Sequence, residues 1–132
     1  MRRMMVISSV AGLAFSSALS HPSVYDYGLT NRTDADGLAV PRASLFAARV
    51  MRTVLAGAFT VEDQTLFSHL AMLLRSEGLR IEPSAAAGFS GPMCVQGSPL
   101  ACAGATHLVW TTGGSLVPDA EFQRFLKKAR PH

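Results

Sequence analysis

A chain of 132 residues is long enough for one ordinary domain and too short for two. At 48% hydrophobic and 16% charged it is built to pack, which excludes a disordered solvating chain. The net charge of +3 comes from scattered arginines with no basic cluster interleaved with aromatics, which argues against a nucleic-acid partner. Cys94 and Cys102 have no second Cys or His pair at zinc spacing, so two free thiols in a reducing cytosol are expected.

The first stretch is ambiguous. Arg2-Arg3, an apolar run from Met4 to Phe15 and the small residues Ala18-Leu19-Ser20 have the layout of a secretory signal. The run is too short to span a membrane, and no membrane role is expected. Residues 1–22 are read as a small-residue apolar helix, with the signal peptide as the alternative; in that alternative Asn31-Arg32-Thr33 would be an exposed glycosylation sequon. His21-Pro22 then breaks the helix, and Ser23 to Leu29 reads as a short strand entering a turn. Asn31 to Gly37 is polar and ends in glycine, hence a loop. Asp34 and Asp36 lack a third ligand at a workable offset, so no metal is expected there.

Pro41 to Ala56 is expected to be a helix, with Phe46, Val50, Thr53 and Val54 on one face and Arg42, Arg49 and Arg52 off it. After Gly57, Thr60 and Asp63 resemble a capping box, and Leu66, Phe67, Leu70 and Leu74 form an apolar stripe that stops at Gly78. His69 lies on that helix with no ligand partner at metal-binding spacing. Leu79-Arg80-Ile81 reads as a short strand turning through Glu82-Pro83-Ser84 into Ala85-Ala86-Ala87-Gly88. Gly91 to Gly104 is rich in Gly, Pro and Ser and reads as a loop.

Thr106 to Trp110 has the composition of a buried strand and stops at Thr111-Thr112-Gly113-Gly114. Pro118-Asp119-Ala120-Glu121 starts the last helix, to Ala129, with Phe122, Phe125 and Leu126 facing inward and Lys127 and Lys128 at its negative end. Strands alternating with helices predict an α/β fold with a covered, mainly parallel sheet. Ligands of such sheets sit off the carboxyl ends of strands, where glycines let the backbone approach them.

Taken together, four stretches resemble the carboxyl-terminal portion of the D-serine dehydratases. They are Tyr25 to Asn31 running on to Ala35-Asp36-Gly37-Leu38-Ala39-Val40; Glu77-Gly78-Leu79-Arg80-Ile81-Glu82-Pro83-Ser84-Ala85; Ala105 to Gly114; and Val117-Pro118 with the terminal helix. The resemblance covers residues 23–132. It implies part of the three-layer large domain of a pyridoxal-phosphate enzyme of the tryptophan-synthase-β fold type, with D-serine as substrate and pyruvate and ammonia as products of a β-elimination. It implies that Thr112 supplies a neutral hydroxyl to the pyridine nitrogen, that Gly113 and Gly114 let the ring lie against backbone, and that Glu82 and Ser84 stand beside the pyridine. Asp36 and Gly37 match a loop on the substrate side.

The departures are also informative. A pyridoxal enzyme needs a lysine for its internal aldimine. The two lysines, Lys127 and Lys128, match no cofactor lysine, and the family's lysine and phosphate-binding loop lie in parts upstream of the matched stretch. Residues 91–105 do not follow the family's sequence. The chain alone is therefore expected to be inactive, cytoplasmic and prone to self-association through exposed sheet edges. It would be a remnant of a lyase or a segment that works with a separate chain; the alternative of a different class is a small secreted binding protein.

Overall fold

The computed structural model describes residues 23–28, 30–42, 44–54, 56–57 and 59–130. Both the apolar helix and the signal peptide expected over residues 1–22 lie outside them. The chain divides into two compact units, Met1–Thr60 and Val61–His132.

In the first unit the strand expected from Ser23 is instead a 3-10 helix, Val24–Tyr27. Val and Tyr favour strands, but local side chains decide here. The Ser23 hydroxyl accepts from the Tyr25 N–H, the Asp26 carboxylate accepts from the Ser23 N–H at 2.6 Å, and Gly28 closes the turn at φ 70°. Ser23 and Arg42 form an isolated antiparallel bridge, and the Val24 N–H donates to the Pro41 carbonyl at 2.9 Å. The expected polar loop holds a second 3-10 turn, Asp36–Leu38. Helix α1 spans Leu45–Val54, inside the predicted 41–56. Phe46 and Val50, assigned to its packed face, are both exposed, and the Thr53 and Val54 side chains lie outside what is described.

The second unit is organised by helix α2, Asp63–Glu77. Leu66, Phe67 and Leu70 are buried as the stripe predicts, while its fourth member, Leu74, is half-buried and Leu73 is buried beside it. Its N-cap is Glu62 with no side-chain bond, so Thr60 and Asp63 do not form the expected capping box. Its C-terminus ends as expected: Gly78 at φ 67° donates its N–H to the Leu74 carbonyl. Against α2 pack α3 (Pro83–Ala86), a 3-10 turn at Ala87–Ser90, and α5 (Asp119–Lys128). Between them, α4 covers Gly91–Gln96, where a loop was expected. Gly91-Pro92 is a helix start, because Pro in the first turn needs no N–H partner and brings a helical φ. Val95 is buried beneath it.

Helix α5 runs antiparallel to α2. The Gln64 amide donates to the Lys128 carbonyl at 2.9 Å at one end, and Arg80, just past α2, pairs with Asp119 at 2.7 Å at the other. Between these ends Phe67 and Phe125 stack at 6.0 Å. The buried Phe122 lies under the Arg80 guanidinium at 4.5 Å.

The expected α/β fold with a parallel sheet is overturned: among the described residues there are helices and turns, one isolated bridge and no strand. Leu79–Ile81 and Thr106–Trp110 carry β-favouring residues, but neither lies against a second segment that could complete a ladder. Strand propensity becomes a strand only through cross-strand partners.

Candidate functional site

The junction between α2 and α3 and the glycine pair before α5 come together in the second unit. Arg80-Ile81 leads out of α2, and Glu82 then serves as the α3 N-cap in extended backbone, φ −81° and ψ 160°. Pro83 takes the first turn, and the Glu82 carbonyl accepts from the Ala85 N–H at 3.0 Å. From a distant part of the chain Gly114, at φ 125°, is laid onto this segment. A Cβ on it would stand 2.4 Å from the Ile81 Cα and 2.7 Å from the Arg80 carbonyl oxygen. Gly113, at φ 85°, faces the Glu82 side chain, whose Cδ and Oε1 would each lie 2.8 Å from an added Cβ.

Gly114 is therefore required by the protein's own packing, and Gly113 by its positive φ. Gly114 is buried against backbone, and Gly113 makes room for a carboxylate. Arg80 holds the far side of the turn, donating to the Val117 carbonyl at 3.2 Å and to Asp119 Oδ1 at 2.7 Å.

Of the residues singled out from the sequence, Glu82, Gly113 and Gly114 are brought into contact, and Thr112, exposed, precedes the pair directly. Ser84 is half-buried in the first turn of α3, two residues beyond Glu82. Asp36 and Gly37 are exposed in the 3-10 turn of the other unit. Arg80 was missed as a member of the junction, since its partner Asp119 is 39 residues away and no local pattern links them. Gly88 was missed too: a Cβ there would come within 2.8 Å of Val109 Cγ1, so it seats the segment that leads to the glycine pair.

These residues fit pyridoxal phosphate at one edge only. The exposed Thr112 hydroxyl can donate to a pyridine nitrogen, whereas the Glu82 carboxylate is an acceptor and faces Gly113. An amine for the aldehyde is not at the junction. Lys128 sits at the other end of α5, its ammonium 5.2 Å above the Phe67 ring. That places it beside the start of α2, a 15-residue helix about 22 Å long, whereas Gly114 packs just beyond that helix's end.

His69 packs on neighbouring groups instead. Its Nδ1 is 3.3 Å from the Ala86 carbonyl, which only accepts, so that bond needs the proton on Nδ1. Its ring tilts against Phe89 at 6.1 Å. Cys94 and Cys102 are exposed free thiols. Among the described residues no group of three or more His, Cys, Asp or Glu is placed to hold a metal ion, and no helix is long and apolar enough to cross a membrane.

No family model matches the chain. Curated relatives do. A probable D-serine dehydratase of Paracidovorax citrulli (strain AAC00-1) is 60% identical over 123 residues, covering 84% of this chain and 27% of the relative. One from Acidovorax sp. (strain JS42) is 55% identical with the same coverage. One from Sinorhizobium medicae (strain WSM419) is 52% identical over 120 residues, 82% of this chain and 27% of the relative. The chain thus spans about a quarter of the length of the curated relatives it matches. Over that stretch its sequence places it in the D-serine dehydratase family.

Proposed function

We propose that the chain is the carboxyl-terminal, pyridine-facing part of a cytoplasmic, pyridoxal-phosphate-dependent D-serine ammonia-lyase, which forms pyruvate and ammonia from D-serine by β-elimination. The observation that carries this reading is the identity of 52–60% with proteins named as probable D-serine dehydratases. The packing of Gly113 and Gly114 onto Ile81 and Glu82 agrees with it, since two motifs distant in sequence share one junction.

The cofactor, when bound, supplies the electron sink for the elimination. On this reading Thr112 offers its hydroxyl to the pyridine nitrogen, and a neutral partner there leaves the nitrogen without a proton. Gly113 and Gly114 form the turn whose backbone the ring would lie against, with Gly114 itself packed on Ile81. Glu82 holds the turn that carries Thr112, and Ser84 lines the same edge. Asp36 and Gly37 are assigned to the substrate side. The lysine and phosphate-binding groups come from the part of the family's length that this chain does not match. Asn31, the sequon residue of the secreted alternative, has both ends of its amide engaged: Nδ2 donates to the Ala39 carbonyl and Oδ1 accepts from the Tyr25 hydroxyl.

Trp110 is the single tryptophan and lies two residues before Thr112, so it reports on ligands at the junction. Titration with pyridoxal phosphate is expected to quench its fluorescence saturably, and Thr112→Ala is expected to weaken that quenching. A linear response identical in both proteins would remove the cofactor assignment. A chimera carrying this chain in place of the matching stretch of the Paracidovorax citrulli protein tests the activity itself, read as pyruvate formed from D-serine.

A further inference from the structure

Arg80 meets both ends of one turn. Gly114 rests on its backbone, where an added Cβ would stand 2.7 Å from the Arg80 carbonyl oxygen. The turn from Gly114 to Val117 is closed by its own bond, the Val117 N–H donating to the Gly114 carbonyl at 3.2 Å. The Val117 carbonyl then accepts from Arg80 Nη2 at 3.2 Å, while Nη1 donates to Asp119 Oδ1 at 2.7 Å. The guanidinium also lies 4.5 Å over the ring of the buried Phe122. So the main chain of Arg80 seats the start of the turn, and its side chain holds the end. Thr112 takes its place from this turn. It is exposed, and among the described residues the backbone groups of 106–113 make no backbone hydrogen bond that would fix it otherwise. Gly113, which joins it to the turn, lies against Glu82.

We propose that Arg80 is a positioning residue of the lyase site: by holding the Gly114–Val117 turn at both ends, it fixes where Thr112 presents its hydroxyl. The proposal rests on the reading of Thr112 as the hydroxyl that faces the pyridine nitrogen. Arg80 acts through Thr112 and touches neither cofactor nor substrate. Charge attraction does not account for an arginine here. The Arg80 and Asp119 side chains are 40% and 88% exposed, and an ion pair so exposed is worth little. What arginine has and lysine lacks is a planar fork, which keeps two acceptors in a fixed relation while its face stacks on an aromatic ring. Two acceptors and a ring are what Arg80 meets. Asp119 steadies one arm of the fork, and the bond to the Val117 carbonyl carries the positioning.

The test is a double-variant cycle on the chimera with the Paracidovorax citrulli protein, read as the dissociation constant of pyridoxal phosphate by equilibrium dialysis. Arg80→Lys keeps the charge and is expected to weaken binding roughly fivefold, the worth of one misplaced neutral hydrogen bond. Asp119→Ala should weaken it less than about twofold. In a Thr112→Ala background, adding Arg80→Lys should change binding less than about twofold, because the hydroxyl that Arg80 places is gone. A full fivefold loss in that background would show a merely structural role and overturn the proposal, as would unchanged binding in Arg80→Lys alone. If the chimera does not fold, nuclear Overhauser contacts between Gly113 and Glu82 in the isolated chain decide the matter, with the Phe67–Phe125 contact as the check on folding. Their loss in Arg80→Lys and retention in Asp119→Ala sustains the proposal, and the same result in both variants overturns it. Pyruvate assays keep the two readings apart. A chimera that forms pyruvate from D-serine while Arg80→Lys leaves cofactor binding unchanged sinks the positioning role and spares the lyase. A chimera that folds but holds no pyridoxal phosphate removes the reading of Thr112, and the role of Arg80 with it.

Discussion

Gly114 and Gly113 are adjacent but have different neighbours, and alanine distinguishes them. At Gly114 the new Cβ meets the Ile81 backbone at 2.4 Å with φ at 125°, so nothing nearby can give way by rotating a side chain. Gly114→Ala should cost about 3 kcal/mol or more, combining overpacking and backbone strain. At Gly113 the obstacle is the Glu82 carboxyl group, the far end of a flexible chain, so Gly113→Ala should cost about 1–2 kcal/mol, mainly from its positive φ. Urea midpoints of the two variants measure the difference; equal shifts would show that the turn is not packed on Ile81. Gly88 offers a paired test. Its alanine variant collides with Val109 Cγ1, and Val109→Ala should relieve most of that cost, so the double-variant cycle should be non-additive.

At the scale of elements, the α2–α5 pair rests on its aromatic seam more than on its charges. Asp119 is 88% exposed, so Asp119→Ala should change stability by less than about 1 kcal/mol, counting both the ion pair and its place in the first turn of α5. Arg80→Ala also loses the bond to the Val117 carbonyl and the contact over Phe122, and should cost about 1–2 kcal/mol. Phe125→Ala empties a buried site stacked on Phe67 and should cost about 3–4 kcal/mol. Thermal melts should rank the three in that order, with Asp119→Ala the mildest. The helices themselves were legible because their signals are local. The Leu66, Phe67 and Leu70 stripe, the stop at Gly78 and the acid-first, lysine-last pattern of α5 each lie within a few turns of sequence. Helix α4 stands where Gly and Pro suggest a loop, because Pro in a first turn starts a helix.

For the whole chain, no pyruvate should form from D-serine when it is purified alone, with or without added cofactor, since neither lysine lies at the junction. A coupled lactate dehydrogenase assay reads this directly, and turnover abolished by Thr112→Ala would refute it. Sequence alone determined the family resemblance, the positions of the main helices and the glycine pair, because these are written in residue order and in spacings of a few residues. The sheet was not legible. Residues 79–81 and 106–110 have strand composition, but a strand exists only where a second segment completes its hydrogen bonds, and none does so among the described residues. The tertiary structure alone decided that Glu82 faces Gly113, that Gly114 rests on Ile81, and that Arg80 reaches Asp119. Those contacts join segments far apart in the chain through the antiparallel packing of α2 and α5, and no local pattern encodes a distance of that kind.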